Sequence, residues 1–358
     1  MGNLWEKYCD EGSARNGTLD ELCSDQDCLS AASAIEGPHF HKVLNRLIAS
    51  QYMQNTNLYI RATGRAPNYI KPNTFTEKMQ CRKLLDRNPR FGIFCDKLKA
   101  HKYAAKKDPL IRSPHIIWTD SDPHQIPFND LHIPCVIKPN HLSGSQYVIR
   151  HESHMDKAAI VRLCESWLNQ THGQENGEWG YSKVEPCIQV ERLLPHPQRK
   201  PFPDHYEISV FSGRVEFIQH ITPKGYFGRF TTSFDRDWNQ LPVRKWTGWA
   251  EAGNQVRDYL TNVPKPAKLD QMIAVAECIA DDIDHVRVDM YCVDDAVYLG
   301  ELTPYAGSGY DYVFPKDAQY DTHPPQVMDH ELGALWQQKQ VPAILKLASV
   351  FSARSFGF

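Results

Sequence analysis

Arg287, Asp289 and Glu301 stand among valines, tyrosines and leucines in the stretch HVRVDMYCVDDAVYLGELT, residues 285–303. Apolar residues fall at 286, 288, 290 and 292 with Arg287 and Asp289 between them, the two-residue period of a half-buried strand. A second such run goes from Val297 to Thr303, and Asp294-Asp295 before it is a turn signal. A three-residue loop, Asp294 to Ala296, would pair Val293 with Val297, Asp289 with Glu301 and Arg287 with Thr303 on one face. A two-residue Asp-Asp turn would shift the pairing by one and send the carboxylates to opposite faces. In the first register their β-carbons lie roughly 5 Å apart, which is destabilising unless a cation sits between them. Mg²⁺ is held by one or two carboxylates plus the phosphates of a nucleotide, so a nucleotide-metal site suits the pattern. A solvated surface hairpin is the competing reading.

Two further places could do chemistry. Lys138 ends the apolar strand CVIK and precedes PNHLSGS, whose Ser143, Gly144 and Ser145 would let backbone N–H groups approach phosphate oxygens while the ammonium neutralises them. Glu191 closes the strand IQVERLL; its carboxylate and backbone could hydrogen-bond an adenine with Leu193 and Leu194 beside the ring, or it could face water at a sheet edge.

The elements that must position these residues are legible along the chain. TFTEKMQCRKLLDRN opens with Thr74 and Glu77, a capping box, and spaces Met79, Leu84 and Leu85 on one helical side. A second helix covers Asp96 to Lys107. Short strands follow at 116–119, 135–140 and 147–150, an amphipathic helix at 156–170, a strand at 187–194, a Pro-rich loop, and the hairpin HYEISVFSGRVEFIQHI (205–221) turning at Ser212-Gly213. Helix LDQMIAVAECIADDI (269–283) leads into the opening hairpin. Strands and helices mix without strict βαβ alternation, so α+β lobes are expected. Residues 1–70 read as a helical N-terminal extension without visible chemistry, with further boundaries near 71–134, 135–190, 191–335 and 336–358.

Composition bounds the rest. The chain has 358 residues, 41% hydrophobic and 23% charged, with net charge −3. That balance is globular and argues against a nucleic-acid partner or an anionic membrane surface. There is no apolar run of membrane-spanning length and no export signal, so a cytoplasmic location with reduced thiols for the ten scattered cysteines is expected. The histidines of HFH (39–41) and HESH (151–154) lack partners at metal-ligand spacing.

Taken in order, the pieces resemble ATP-grasp ligases, most closely the TupA-like group associated with teichuronopeptide and other cell-surface polysaccharide biosynthesis. The residues that carry the resemblance are KPNTFTEKMQCRKLLDRNP (71–89), Asp96-Lys97, VIKPNHLSGS (136–145), IQVERLL (188–194), FSGRVEFI (211–218), FDRDWN (234–239) and VRVDMYCVDDAVYLGELT (286–303). The resemblance implies an ATP-grasp fold in which two α+β lobes clamp Mg-ATP. It implies that Lys97 and Lys138 meet nucleotide phosphate, that Glu191, Arg192, Leu193 and Leu194 form the adenine hinge, and that Ser143, Gly144 and Ser145 belong to the loop over the phosphates. Asp289, Glu301 and Thr303 match the magnesium ligands, and Arg287 the arginine that stabilises an acyl phosphate.

ATP and Mg²⁺ would then serve the joining of a small-molecule carboxylate to an amine, a uronic-acid glycan or an amino acid among the candidates. Alternatives are phosphotransfer to a hydroxyl, a nucleotide-binding module without catalysis, and a glycosyltransferase using Asp294-Asp295. Three departures stand out. Thr303 replaces the asparagine usual in ATP-grasp enzymes, although the TupA-like group also favours threonine there. His205-Tyr206-Glu207 replaces an Asp-Tyr-Lys pattern, and the first 70 or so residues are unmatched. For the substrate, Arg214, Lys224 and Arg229 are candidates by charge, Trp238, Tyr305 and Tyr310 by aromatic surface, and Gly307 and Ser308 by close backbone approach.

Overall fold

The computed structural model describes residues 38–195, 203–224, 228–248 and 256–338; the side chains of 38–49 and 223–228 are outside that description. The chain divides into two compact units, Met1–Gln51 and Tyr52–Phe358. Of the first, only the start of helix α1 (Pro38–Thr63) is described, and all the other described elements belong to the second. The rest of the expected N-terminal extension, the tip of the Pro-rich loop and the tail beyond Gln338 lie outside the described residues.

Helix α2 (Phe75–Leu85) starts on the capping box read from the sequence: Thr74 Oγ1 accepts from the Glu77 amide while the Glu77 carboxylate accepts from the Thr74 amide. Its buried face differs from the expected one. Met79 is buried, but Leu84 and Leu85 are only half-buried, whereas Arg82 and Lys83 are fully enclosed. Arg82 donates to the carbonyls of His285 and Pro304, both at 2.8 Å, and pairs with Asp284, while the Phe91 and Trp336 rings cover its guanidinium. A buried charge persists only when most of its donors are used: Nη1 serves both carbonyls and Nη2 serves Asp284, while Nε lies 3.7 Å from Asp86 without a hydrogen bond.

After α3 (Arg90–Cys95), α4 (Lys97–Lys107) begins at Asp96, whose Oδ1 accepts from the amides of Leu98 and Lys99. Strands β1 (Ile116–Asp120), β2 (Cys135–Pro139), β3 (Tyr147–Ile149) and β4 (Ile188–Arg192) form an antiparallel sheet in the order β1-β4-β2-β3. Helix α5 (Lys157–Leu168) packs on it through Ile160, Cys164 and Trp167, closing one hydrophobic core with Ile137, Ile188 and Val190.

A second, larger antiparallel sheet takes β5 (His205–Phe211), β6 (Arg214–Lys224), β7 (Gly228–Phe234), β9 (His285–Val293) and β10 (Ala296–Thr303) in the order β10-β9-β5-β6-β7. Its apolar face, including Ile208, Ile218, Val288 and Leu302, packs with Met272, Ala276 and Ile279 of helix α6 (Leu269–Ile279) in a second core. Strand β8 (Val243–Trp246) pairs with β11 (Tyr312–Pro315) apart from both sheets, and helix α7 (Val327–Leu335) comes after them. Two mixed helix-and-sheet lobes, each with its own core, match the expected fold class. No helix among the described residues is long and apolar enough to cross a membrane.

Candidate active site on the polar face of the large sheet

The β9–β10 turn is not the three-residue loop expected. Val293 pairs with Ala296, so Asp294 and Asp295 alone make the turn, both left-handed with φ of 47° and 55°. Such a turn matches the strand twist and shifts the register by one. The pairing still places Glu301 opposite Asp289 and Thr303 opposite Arg287, because a bulge between Leu299 and Glu301 absorbs one residue. Gly300 is that residue. A β-carbon there would lie 3.0 Å from the Tyr291 ring and 3.1 Å from the Asp289 carbonyl, so any side chain would press on both. The carboxylates thus share a face by two offsetting irregularities.

The registers extend the row across the sheet. Glu301 faces Asp289, Asp289 faces Glu207, Glu207 faces Gln219 and Gln219 faces Ser233. Directly paired residues point to one side, so three carboxylates stand abreast on adjacent strands. Arg287, one step along the same face, holds them together. Its Nε and Nη2 donate to Asp289 at 2.7 and 2.6 Å, and Nη2 also lies 3.5 Å from both Glu301 and Thr303 Oγ1. Its Nη1 is 3.5 Å from Glu207. Lys245 reaches in from β8, 3.4 Å from Glu207 and 3.7 Å from Asp311.

Burial and charge set the protonation tendencies. Desolvation pushes the Asp289 carboxyl well above the ordinary range, with Glu301 and Glu207 adding to the rise and Arg287 opposing it. Burial would also raise Glu301 and Glu207. Lys97, Arg287 and Lys138 hold Glu301 below its usual value, and Arg287 with Lys245 holds Glu207 well below.

Both predicted phosphate lysines lie within electrostatic reach of Glu301. Lys97 is the first residue of α4, at the helix's positive end and partly buried, two circumstances that disfavour an ammonium. Desolvation accordingly lowers its pKa; it donates to the Leu142 carbonyl. Lys138 forms a 2.7 Å ion pair with Glu191. The Arg192 and Leu193 amides bond the carbonyls of His115 and Pro134, fixing the segment before Leu194. The Leu142–Gln146 loop leaves Ser143 and Gly144 exposed, with Gly144 at φ +70° and nothing within 4 Å of where a β-carbon would sit.

The loop after β10 is pinned from beneath. Gln80 donates to the carbonyls of Ser308 and Gly309, and Lys83 to Ser308 O, Ser308 Oγ and Tyr310 Oη. Gly307 and Ser308 both have φ of 53°. A β-carbon on Gly307 would meet Asp311 Cβ at 2.7 Å, so Asp311 lies directly under this turn.

Other candidates stand apart. Arg214 is exposed at the β5–β6 turn, paired with Glu216 at 2.8 Å, and Arg229 is exposed at the far end of β7. The Lys224 side chain lies outside the described residues. Trp238 stacks on Phe234 at 4.0 Å, Tyr305 Oη accepts from the Gly180 amide, and Tyr310 covers Lys83, so these rings serve packing. The residues that sequence reasoning missed are His101, Glu207, Lys245 and Asp311, together with Gln80, Arg82 and Lys83. Glu207 carried a signal, as the departure from a lysine pattern, and Lys245 now supplies a cation beside it. Lys245 and Asp311 carried none, because only the folded β8–β11 ladder brings them near. His101 follows Lys97 by one helical turn, a usable hint.

Asp289, Glu301 and the Thr303 hydroxyl form a hard-oxygen set. The two carboxyl groups are in hydrogen-bonding reach of each other and one is forced above its normal range, a repulsion that a divalent cation would relieve. Among the described residues no group of three or more His, Cys, Asp and Glu side chains makes a complete cage. Such an oxygen set would suit a hard divalent cation that takes its remaining ligands from elsewhere.

Both sheets lie in one compact unit, and Lys97 and Lys138 come within electrostatic reach of Glu301, one of the paired carboxylates. A family model, TupA-like ATPgrasp, matches residues 77–323, more than half the chain, and the chain belongs to that family. Among solved structures, the D-alanine–D-alanine ligase of Bacillus anthracis is 13% identical over 74% of this chain and 70% of its own, with a TM-score of 0.38. VanG D-Ala:D-Ser ligase from Enterococcus faecalis is 12% identical over 72% and 62%, at 0.36. The L-amino acid ligase from Bacillus licheniformis is 12% identical over 65% and 49%, at 0.38. A search of curated proteins returns no match.

Proposed function

We propose that this protein is an ATP-dependent carboxylate–amine ligase working through an acyl phosphate. The observation that carries the reading is the row Glu301, Asp289, Glu207 with the Arg287 fork across it, within electrostatic reach of Lys97 and Lys138. Lys97 and Lys138 would meet the phosphates, and Ser143 to Ser145 would cover them. Glu191 to Leu194 would border the adenine, with Glu191 holding Lys138 in place. Asp289, Glu301 and Thr303 would hold Mg²⁺, which when bound neutralises phosphate charge and orients the γ-phosphoryl group.

In this reading the substrate carboxylate, a poor electrophile on its own, takes the γ-phosphoryl group. The amine then displaces inorganic phosphate and forms the amide. Arg287 would supply a fixed donor to developing negative charge, and its five N–H groups allow it to serve substrate and Asp289 together. Product as a precursor of a surface polysaccharide or a specialised peptide, and a cytoplasmic setting, belong to the same proposal.

The test is thermal unfolding with ATP, with and without Mg²⁺, on the wild type and on Asp289→Asn. Nucleotide at 100 times its dissociation constant stabilises by roughly 2.7 kcal/mol. A Mg²⁺-dependent shift lost in the variant supports the site and leads to screening carboxylates and amines for ADP and inorganic phosphate release. No shift with ATP sinks the proposal, and ADP release with phosphate retained on an acceptor would establish phosphotransfer instead.

A further inference from the structure

The carboxylate row and its two lysines leave one nearby segment without a role, the stretch between α5 and β4 that ends in a short 3₁₀ helix, Trp179–Lys183. Its backbone is fastened. The Gly180 amide donates to Tyr305 Oη at 3.0 Å, and a β-carbon on Gly180 would stand 2.9 Å from both the Phe91 carbonyl and Cys95 Sγ, so the chain here lies hard against α3. Glu178, buried, accepts from the Ser308 hydroxyl and lies within electrostatic reach of Lys83. The Tyr181 ring is fixed as well. Gly173, left-handed at φ +78°, approaches it so closely that a β-carbon there would lie 2.8 Å from Tyr181 Cδ2. The His172 ring meets it edge to face, with centroids 4.5 Å apart and planes at 86°.

Held in this way, the Tyr181 side chain is half-buried, not sealed, and its hydroxyl has no hydrogen-bond partner among the described residues. It lies within electrostatic reach of both Glu301 and Arg287, and His172 beside it within reach of Lys97 and Glu301. Burial, with Cys95, Glu178 and Glu301 adding to it and Arg287 opposing, keeps the phenol above its ordinary pKa, so at neutral pH it is a hydrogen-bond donor. We infer that Tyr181 is a further catalytic residue, its hydroxyl donating a hydrogen bond to a terminal oxygen of the γ-phosphoryl group. The inference rests on the ligase reading and adds a residue to it. In the transfer, the bond from the γ-phosphorus to the ADP oxygen breaks, ADP keeping the electron pair, and a bond to the substrate carboxylate oxygen forms. Negative charge is spread meanwhile over the three equatorial oxygens. A neutral donor already fixed toward one of them stabilises that charge without reorganising, and the proton stays on the phenol.

The experiment uses the full chain with Mg²⁺ and measures, by calorimetry, binding of the β,γ-imido analogue of ATP and of ADP to the wild type and to Tyr181→Phe. Phenylalanine keeps the ring against Gly173 and His172 and removes only the hydroxyl. The variant is expected to bind the triphosphate analogue roughly tenfold more weakly, the loss of one hydrogen bond to a charged group, and to bind ADP as the wild type does. If the variant binds both nucleotides as the wild type does, the hydroxyl does not meet the γ-phosphoryl group and the assignment is wrong. Equal weakening of both nucleotides, or weakening of ADP alone, also overturns it, because a merely structural tyrosine would not single out the γ-phosphoryl group. The ligase reading survives each of these results, whereas a wild type that binds neither nucleotide removes the reading on which the assignment rests.

Discussion

Burial of a neutral His101 should cost the fold stability at mildly acidic pH. This ring is 7% exposed on α4, one turn beyond Lys97, and its Nε2 lies 3.2 Å from the carbonyl of Gly300, the bulge residue beside Glu301. Its Nδ1 has no partner among the described residues. A second ring proton would therefore be buried and unbonded, and burial, with Lys138 adding, lowers the pKa from 6.5 to about 4. The unfolded chain binds the proton below about 6.5 and the folded one only near 4, so the stability tied to the neutral ring is complete above that upper value and lost as pH falls between the two. At about 1.36 kcal/mol per unit, the loss is roughly 2 kcal/mol between pH 7 and pH 5 and roughly 3 by pH 4. The assay is urea unfolding of wild type and His101→Gln across pH 4–7, since glutamine can still donate to Gly300 without titrating. The stability difference between the two should move in the variant's favour by about 2 kcal/mol from pH 7 to pH 5. Other titrating groups, such as Asp329, which burial raises to about 6, largely cancel in that difference. A difference that stays flat across this range would refute the argument.

Gly300→Ala places a β-carbon against the Tyr291 ring and the Asp289 carbonyl; a loss of roughly 1–3 kcal/mol by chemical denaturation, with weaker Mg²⁺-dependent stabilisation by ATP, is expected. Unchanged Mg²⁺ response would show that the bulge does not set the carboxylate pairing. Lys83→Met leaves buried Glu178 without its nearby cation and should cost about 3 kcal/mol or more, much of it recovered by adding Glu178→Gln. Equal stability of the single and double variants would show the two groups uncoupled. Lys138→Met should weaken ATP binding and release Glu191, whereas Arg214→Ala, remote from the row, should leave the ATP-induced thermal shift within error.

Local periodicity and capping determined most of the elements before any tertiary contact was known. The capping box at Thr74, the Ser212-Gly213 turn and the two-residue alternation around Arg287 depend on neighbours in the chain, and each appears where its pattern lies. The ordered motifs likewise determined the family, because Lys138, Glu191, Arg287, Asp289 and Glu301 are recognisable at their own positions. What the sequence left to the fold involves partners distant in the chain. The hairpin register came from a turn and a bulge acting in opposite senses, and nothing in the alternation counts a bulge at Gly300. Arg82 and Lys83 are not part of the apolar side expected at Met79, Leu84 and Leu85, yet carbonyls, a carboxylate and a phenol from residues 284–310 solvate them inside the protein. Glu207 and Lys245 belong to two separate strand pairings and Asp311 immediately precedes β11, so their shared pocket exists only once the sheet and the β8–β11 ladder have formed. Short-range chemistry is written in the order of residues; electrostatic complementarity across a face is a property of the folded arrangement, since charge energies depend on distance in space and on burial.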